Sequence, residues 1–181
     1  MSEPIKPKVV DLSHERLLEL LHYDPQTGVF TWKSERRTGR GKGRLLRAAG
    51  SQAGCWHAPE TTGRKLGWRS INIDHHLYRE ARVIWFWMTG KWPDRIIDHR
   101  DRDPSNQRWH NLRQATDSQN KANSAVRSDN LTGVKGVHQH VNGRYQAWIG
   151  RQCLGYFDTA EEANAVYVAA AAARYGEFAH G

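Results

Sequence analysis

Four polar residues, Asp98, His99, Asn111 and Asn120, fall within 23 positions of the sequence, with eleven residues between His99 and Asn111 and eight between Asn111 and Asn120. Their types match what phosphodiester hydrolysis demands. That reaction needs a water made nucleophilic, a stabiliser for the extra negative charge on phosphorus, and help for the departing 3′ oxygen. An imidazole can take the water's proton near neutral pH, which points to His99 as general base. Asp98 and Asn120 offer oxygens of the kind that hold a hard divalent cation and leave positions open. Asn111 can hold the His99 ring through a hydrogen bond and set its tautomer. Adjacent residues on a strand point to opposite faces. Asp98 and His99 therefore need local twist or irregular backbone to serve one site.

Nearby residues sort around this register. Asn123 lies one helical turn beyond Asn120 and is a secondary metal candidate. Asn106 reads as a loop residue. Ile73-Asp74-His75 copies Ile97-Asp98-His99, but Trp87 stands twelve residues after His75 where an Asn would be needed, so the copy reads as an exposed loop tip. His138-x-His140 has no third ligand near it. The two cysteines, Cys55 and Cys153, are too few for a disulfide scaffold, a cysteine zinc cage or a His/Cys/Cys deaminase site.

The run Ile97-Asp98-His99-Arg100-Asp101-Arg102-Asp103-Pro104-Ser105-Asn106, followed by Asn111-Leu112-Arg113 and Gln119-Asn120-Lys121-Ala122-Asn123, resembles the HNH endonuclease family. It is most similar to the phage-type homing members, whose final His is replaced by Asn. Leu20 to Trp32 and Thr89-Gly90-Lys91-Trp92-Pro93 resemble the same enzymes. A departure is Arg79-Glu80-Ala81-Arg82, where relatives commonly carry a His before the Arg. The resemblance implies a ββα-metal fold, a hairpin plus a helix around one divalent ion per site. It implies His99 as base, Asp98 and Asn120 as metal ligands, and Asn111 as the residue orienting His99. The ion expected is Mg2+, with Mn2+ as the alternative, and a phage or prophage source is implied.

The elements that must position these residues can be read from pattern. Ser13 can cap a helix to His22, with Leu17, Leu18, Leu20 and Leu21 on its apolar side. Asp24-Pro25-Gln26-Thr27-Gly28 is a turn, and Val29 to Trp32 a strand. Trp68 to Ile73 alternates as a strand, and Tyr78 to Thr89 reads as a helix closed by Gly90. Ile96-Ile97 suggests a short strand, and Asp117 can cap a helix from Ser118 to Ala125. Residues 123–130 suit a linker.

The last fifty residues read as a module of their own. Val134 to His140, Arg144 to Ile149 and Cys153 to Phe157 are strands, the first two joined by Val141-Asn142-Gly143. Thr159 and Glu162 form a capping box ahead of a helix from Ala160 to Tyr175. Ser128 to Val137 and Leu154 to Ala163 resemble the Apetala-type, ethylene-response-factor-like DNA-binding domain. That resemblance implies three strands in the major groove with a helix behind them. By position, His138, His140, Arg144, Trp148 and Arg151 would lie on the groove face, while Tyr145, Ala147 and Ile149 would pack on the helix. Alternation alone gives the same partition. Plant relatives carry several Arg on this face, so their base preference does not transfer.

Charge and composition bound the reading. The chain has 181 residues with 27 Lys plus Arg against 19 Asp plus Glu, a formal charge of +8 that favours a polyanionic partner. Residues 36–47 hold six basic residues, three Gly and no acid. This stretch reads as a mobile loop whose Arg40, Lys42 and Arg44 can track phosphates. No apolar run is long enough to span a membrane, and residues 1–8 lack a signal core, so a cytoplasmic protein with no membrane partner is expected.

The expected fold class is α+β: an HNH core joined to a three-stranded antiparallel sheet plus one helix. The expected domains are 1–70 with the basic loop, 71–125 as the nuclease core, and 126–181 as the DNA-binding unit. The expected function is metal-dependent hydrolysis of double-stranded DNA to 5′-phosphate and 3′-hydroxyl, by a monomer or homodimer. A non-catalytic DNA-binding regulator and an RNA nuclease are the alternatives. Removal of 128–181 is expected to weaken specific binding but leave weak cutting.

Overall fold

A computed structural model describes residues 12–37, 43–62, 66–126 and 129–180. It is a mixed α and β chain with several small antiparallel sheets and five helices among the described residues. Contacts divide it into two compact units that do not follow chain order: residues 1–94 with 103–112, and 95–102 with 113–181.

The first unit begins with α1 (His14–Leu20), whose Ser13 side chain accepts from the Arg16 N–H at 3.1 Å. The helix ends earlier than its apolar pattern predicts. Leu21 leaves it to open β1 (Leu21–Asp24), which pairs with β2 (Val29–Trp32) from Leu21 opposite Trp32 to Asp24 opposite Val29. Leucines at these positions satisfy either a helix face or a strand, and the cross-strand pairing decides. The expected basic loop is partly strand: β3 (Arg36–Arg37) pairs with β4 (Leu45–Arg47). Arg40 and Lys42 lie outside the described residues.

A three-stranded sheet follows, made of β5 (Cys55–His57), β6 (Trp68–Ile73) and β7 (His76–Arg79), with α2 (Pro59–Thr62) between the first two. The β6–β7 turn is Asp74-His75, both at positive φ, so the copied Asp-His motif is a hairpin tip as expected. Pairing of Tyr78 with Ile71 and Arg79 with Ser70 keeps those residues in the sheet and delays α3 to Glu80–Thr89. Gly90 closes α3 in the left-handed region. Leu17, Leu21, Tyr23, Phe30, Ile71, Ile73, Val83 and Ile84 form the core.

Residues 103–112 also belong to this unit, and the Asp24 to Gly28 turn grips them. Tyr23 Oη donates to the Gln107 carbonyl at 2.6 Å, Arg108 Nε to the Gln26 carbonyl at 2.9 Å, and the Trp109 N–H to the Pro25 carbonyl at 3.2 Å. Gly28, at φ +77°, faces the Gln107 carbonyl carbon so closely that a Cβ would sit 2.5 Å from it. Glycine is required there for both conformation and space.

The second unit holds β8 (Ile96–His99), its partner β9 (Leu112–Ala115) from Arg113 onward, and then α4 (Asp117–Asn123), which packs on β8. The cap of α4 is Thr116 rather than Asp117, in a reciprocal capping box with Gln119. Three strands follow in the order β10 (Val137–Gln139), β11 (Tyr145–Ile149), β12 (Gln152–Phe157), and α5 (Ala160–Tyr175) covers them. Val137, Ala147 and Ile149 meet Ala163, Tyr167 and Ala171 in the core. Gly136 lets the Tyr167 ring approach, since a Cβ there would lie 2.1 Å from it. A short 3₁₀ turn, Gly176–Phe178, ends the described fold.

Candidate active site

Asp98 and His99 end β8, and the strand's alternation separates them. Asp98 is 5% exposed, whereas His99 is half-buried. A reverse turn starts at once, closed by the Arg102 N–H donating to the His99 carbonyl at 3.0 Å.

The Asp98 carboxylate is enclosed by donors. Arg113, on β9, gives its Nε–H to Oδ2 at 2.9 Å. Asn123, at the end of α4, gives its amide nitrogen to Oδ1 at 2.8 Å, to Oδ2 at 2.9 Å and to the His99 carbonyl at 2.7 Å. Asn123 therefore ties α4 to the end of β8. Its Oδ1 is buried with no hydrogen-bond partner. Asn120 precedes it by one turn and shares that helix face.

Arg113 is itself fixed from the far end of the chain. Its Nη1 donates to the Glu177 carbonyl at 2.9 Å, and its guanidinium lies 3.7 Å over the Phe178 ring. Glu177 also pairs with Arg100. Lys135 donates from Nζ to the Ala122 and Ser124 carbonyls, satisfying the open end of α4. Burial pulls the Lys135 ammonium below its ordinary value, and the Arg102 charge adds to this. His180 is likewise lowered, first by burial and then by Arg102, Lys135 and Arg113.

Asn111 is buried at the end of the 3₁₀ turn Trp109–Asn111 in the first unit, and its amide donates to the Asn106 carbonyl at 2.9 Å. His138, His140, Arg144 and Trp148 alternate with the buried Val137, Ala147 and Ile149, so they occupy the sheet face away from α5. Arg144 pairs with Asp158 at 3.0 Å, and the Trp148 indole donates to the Gln146 side chain at 3.4 Å. Arg151 is exposed in the turn before β12, and Arg44 is exposed just before β4.

Sequence reasoning assigned no role to Arg113, Glu177 or Phe178. For Arg113 the pairing with Asp98 comes from the β8–β9 ribbon, which brings the two residues together across 15 positions of sequence.

The donor set fits a hard cation in part. Its oxygens are the Asp98 carboxylate and the orphaned Asn123 amide oxygen, which suit Mg2+ or Mn2+ better than a soft metal. Among the described residues no three of His, Cys, Asp and Glu gather closely enough to hold an ion. The one carboxylate is already matched by Arg113. An ion there needs substrate phosphate and water to complete its shell, a common arrangement for Mg2+.

Among the described residues no helix is long and apolar enough to cross a membrane. No curated protein and no solved structure matches the chain. Residues 81–122, which run from α3 through Asp98, His99, Asn111 and Asn120, match the family model of the HNH endonucleases.

Proposed function

We propose that the chain is a metal-dependent endonuclease acting on double-stranded DNA, with β8, β9 and α4 as a ββα-metal core. The observation that carries the reading is the Asp98–His99 pair at a strand end, tied to α4 by Asn123, inside the segment that matches the HNH family.

His99 takes the proton of the attacking water, whose oxygen bonds to phosphorus in line with the breaking P–O3′ bond. Asn111 orients the His99 ring. Asp98 and Asn120, with Asn123 as a further oxygen, would hold the divalent ion. When bound, that ion supplies charge neutralisation on the phosphoryl oxygens and the departing 3′ oxygen. The products carry 5′-phosphate and 3′-hydroxyl. One site per chain nicks a duplex as a monomer, or cuts both strands as a homodimer.

The three-stranded sheet with α5 acts as an Apetala-type DNA-binding unit in this reading. Its outer face of His138, His140, Arg144 and Trp148, with Arg151, is laid against the major groove. Arg40, Lys42 and Arg44 add phosphate contacts. Roles then divide along the chain as 1–70, 71–125 and 126–181. A phage or prophage origin and an intracellular place of action belong to the same proposal.

The pairing of Asp98 with Arg113 favours one second reading, a DNA-binding regulator that does not cut. The deciding experiment is plasmid cleavage in Mg2+ or Mn2+ by wild type and His99→Ala. Cleavage by wild type alone supports the nuclease. Equal behaviour of the two proteins overturns it, and competition between duplex DNA and RNA identifies the substrate.

A further inference from the structure

We propose that the C-terminal turn Gly176–Phe178 is a positioning element of the nuclease site, acting on Asp98 through Arg113. The inference rests on the nuclease reading above and extends it to residues outside the HNH match.

A guanidinium is a flat group with five donors in one plane, so three contacts in different directions fix both its position and its tilt. Arg113 has three. Its Nε–H meets Asp98 at 2.9 Å, its Nη1 meets the Glu177 carbonyl at 2.9 Å, and its face rests 3.7 Å over Phe178. Two of the three come from the turn. The side chain is 6% exposed, as is that of Asp98, so water is poorly placed to replace a lost contact. Phe178 is itself buried.

The turn is held in register by its own anchors. Glu177 pairs with Arg100 in the reverse turn that follows His99. The turn also packs on α4 and α5. Asp98 is thus gripped from α4 by Asn123 and from the chain terminus by Arg113. Loosening Phe178 frees the guanidinium to tilt and lets the carboxylate rotate, although neither residue touches substrate. It follows that removing 128–181 disables cutting as well as binding, contrary to the expectation from sequence alone.

The test compares full-length wild type, Phe178→Ala and Phe178→Tyr. Tyrosine keeps a flat ring under the guanidinium and alanine does not. Three quantities are read: solvent exchange of the Arg113 Nε–H by nitrogen-15 NMR, duplex DNA affinity in EDTA, and the Mn2+ concentration giving half-maximal plasmid cleavage. For Phe178→Ala the expected result is faster Nε–H exchange, unchanged DNA affinity, and a Mn2+ requirement raised about 10–100-fold, as for lost outer-shell partners. Phe178→Tyr should restore both shifted readings. An alanine variant with unaltered exchange or an unaltered Mn2+ requirement overturns the proposal. Absence of cleavage by wild type instead overturns the nuclease reading beneath it.

Discussion

The side-chain amide nitrogen of Asn123 donates to both carboxylate oxygens of Asp98, at 2.8 and 2.9 Å, across 25 positions of sequence. Asn123 is a candidate ligand by spacing, and its amide nitrogen also holds the candidate ligand Asp98 in place while its Oδ1 has no hydrogen-bond partner. Substituting Asn123→Ala leaves a buried carboxylate short of donors, a loss worth about 1–3 kcal/mol. Asn123→Asp sets a second carboxylate against the first and should cost more at pH 7 than at pH 4, where protonation relieves the repulsion. Urea unfolding at the two pH values checks both. Equal costs for the aspartate variant at the two pH values would contradict the placement of Asn123 against Asp98.

A single carboxylate already matched by Arg113 gives the protein alone little hold on a divalent ion. The expected outcome is that His99→Ala binds Mn2+ weakly by itself and about ten-fold or more tightly once duplex DNA supplies phosphate oxygens. The histidine variant is used because the proposed mechanism leaves the DNA intact without His99. Electron paramagnetic resonance counts the free ion directly. An affinity that ignores DNA would mean the protein completes the shell without it.

Local signals in the sequence were reliable where the partners lie close along the chain. The Ser13 cap, the Asp24 to Gly28 turn, the Gly90 stop and the helix over Ala160–Tyr175 all occur as patterned. At the last of these, Thr159 accepts from the Glu162 N–H as expected, but the Glu162 carboxylate reaches the Asp158 N–H instead of the cap residue's own. Legibility fails where strand pairing overrides a helical pattern, as at Leu21 and at Tyr78-Arg79. It fails again where a contact spans the chain. Arg113 and Glu177 are 64 positions apart, and no periodicity links a buried guanidinium to a carbonyl at that distance.

The same limit hid what the Asp24 to Gly28 turn does. Composition marks it as a turn, but not that it clasps residues 107–109. Tyr23→Phe removes the donor to the Gln107 carbonyl, and Tyr23 is 1% exposed, so a cost of about 1–2 kcal/mol is expected. Gly28→Ala adds a Cβ against backbone at a positive φ and should cost more than Tyr23→Phe. Thermal melts of the two variants rank them. The opposite order would show that the clasp depends on the hydrogen bond more than on the close approach.

Glu80 gives the first unit a pH dependence with an unusual sign. It is 1% exposed, and Arg69 Nε donates to one of its oxygens at 2.9 Å while the other has no hydrogen-bond partner. Burial outweighs the arginine and pushes the carboxyl from its ordinary 4.5 up to about 7. Between those values the folded chain keeps a proton that the unfolded chain has released. Stability from this group is therefore full below pH 4.5 and is lost as pH rises through 7, by about 3 kcal/mol in total. Glu80→Gln carries no such proton. Relative to wild type, it should gain about 3 kcal/mol on going from pH 4.5 to pH 8, measured by urea unfolding at each pH. A variant whose difference from wild type is the same at both pH values would place the Glu80 carboxyl back at its ordinary value, with Arg69 compensating its burial in full.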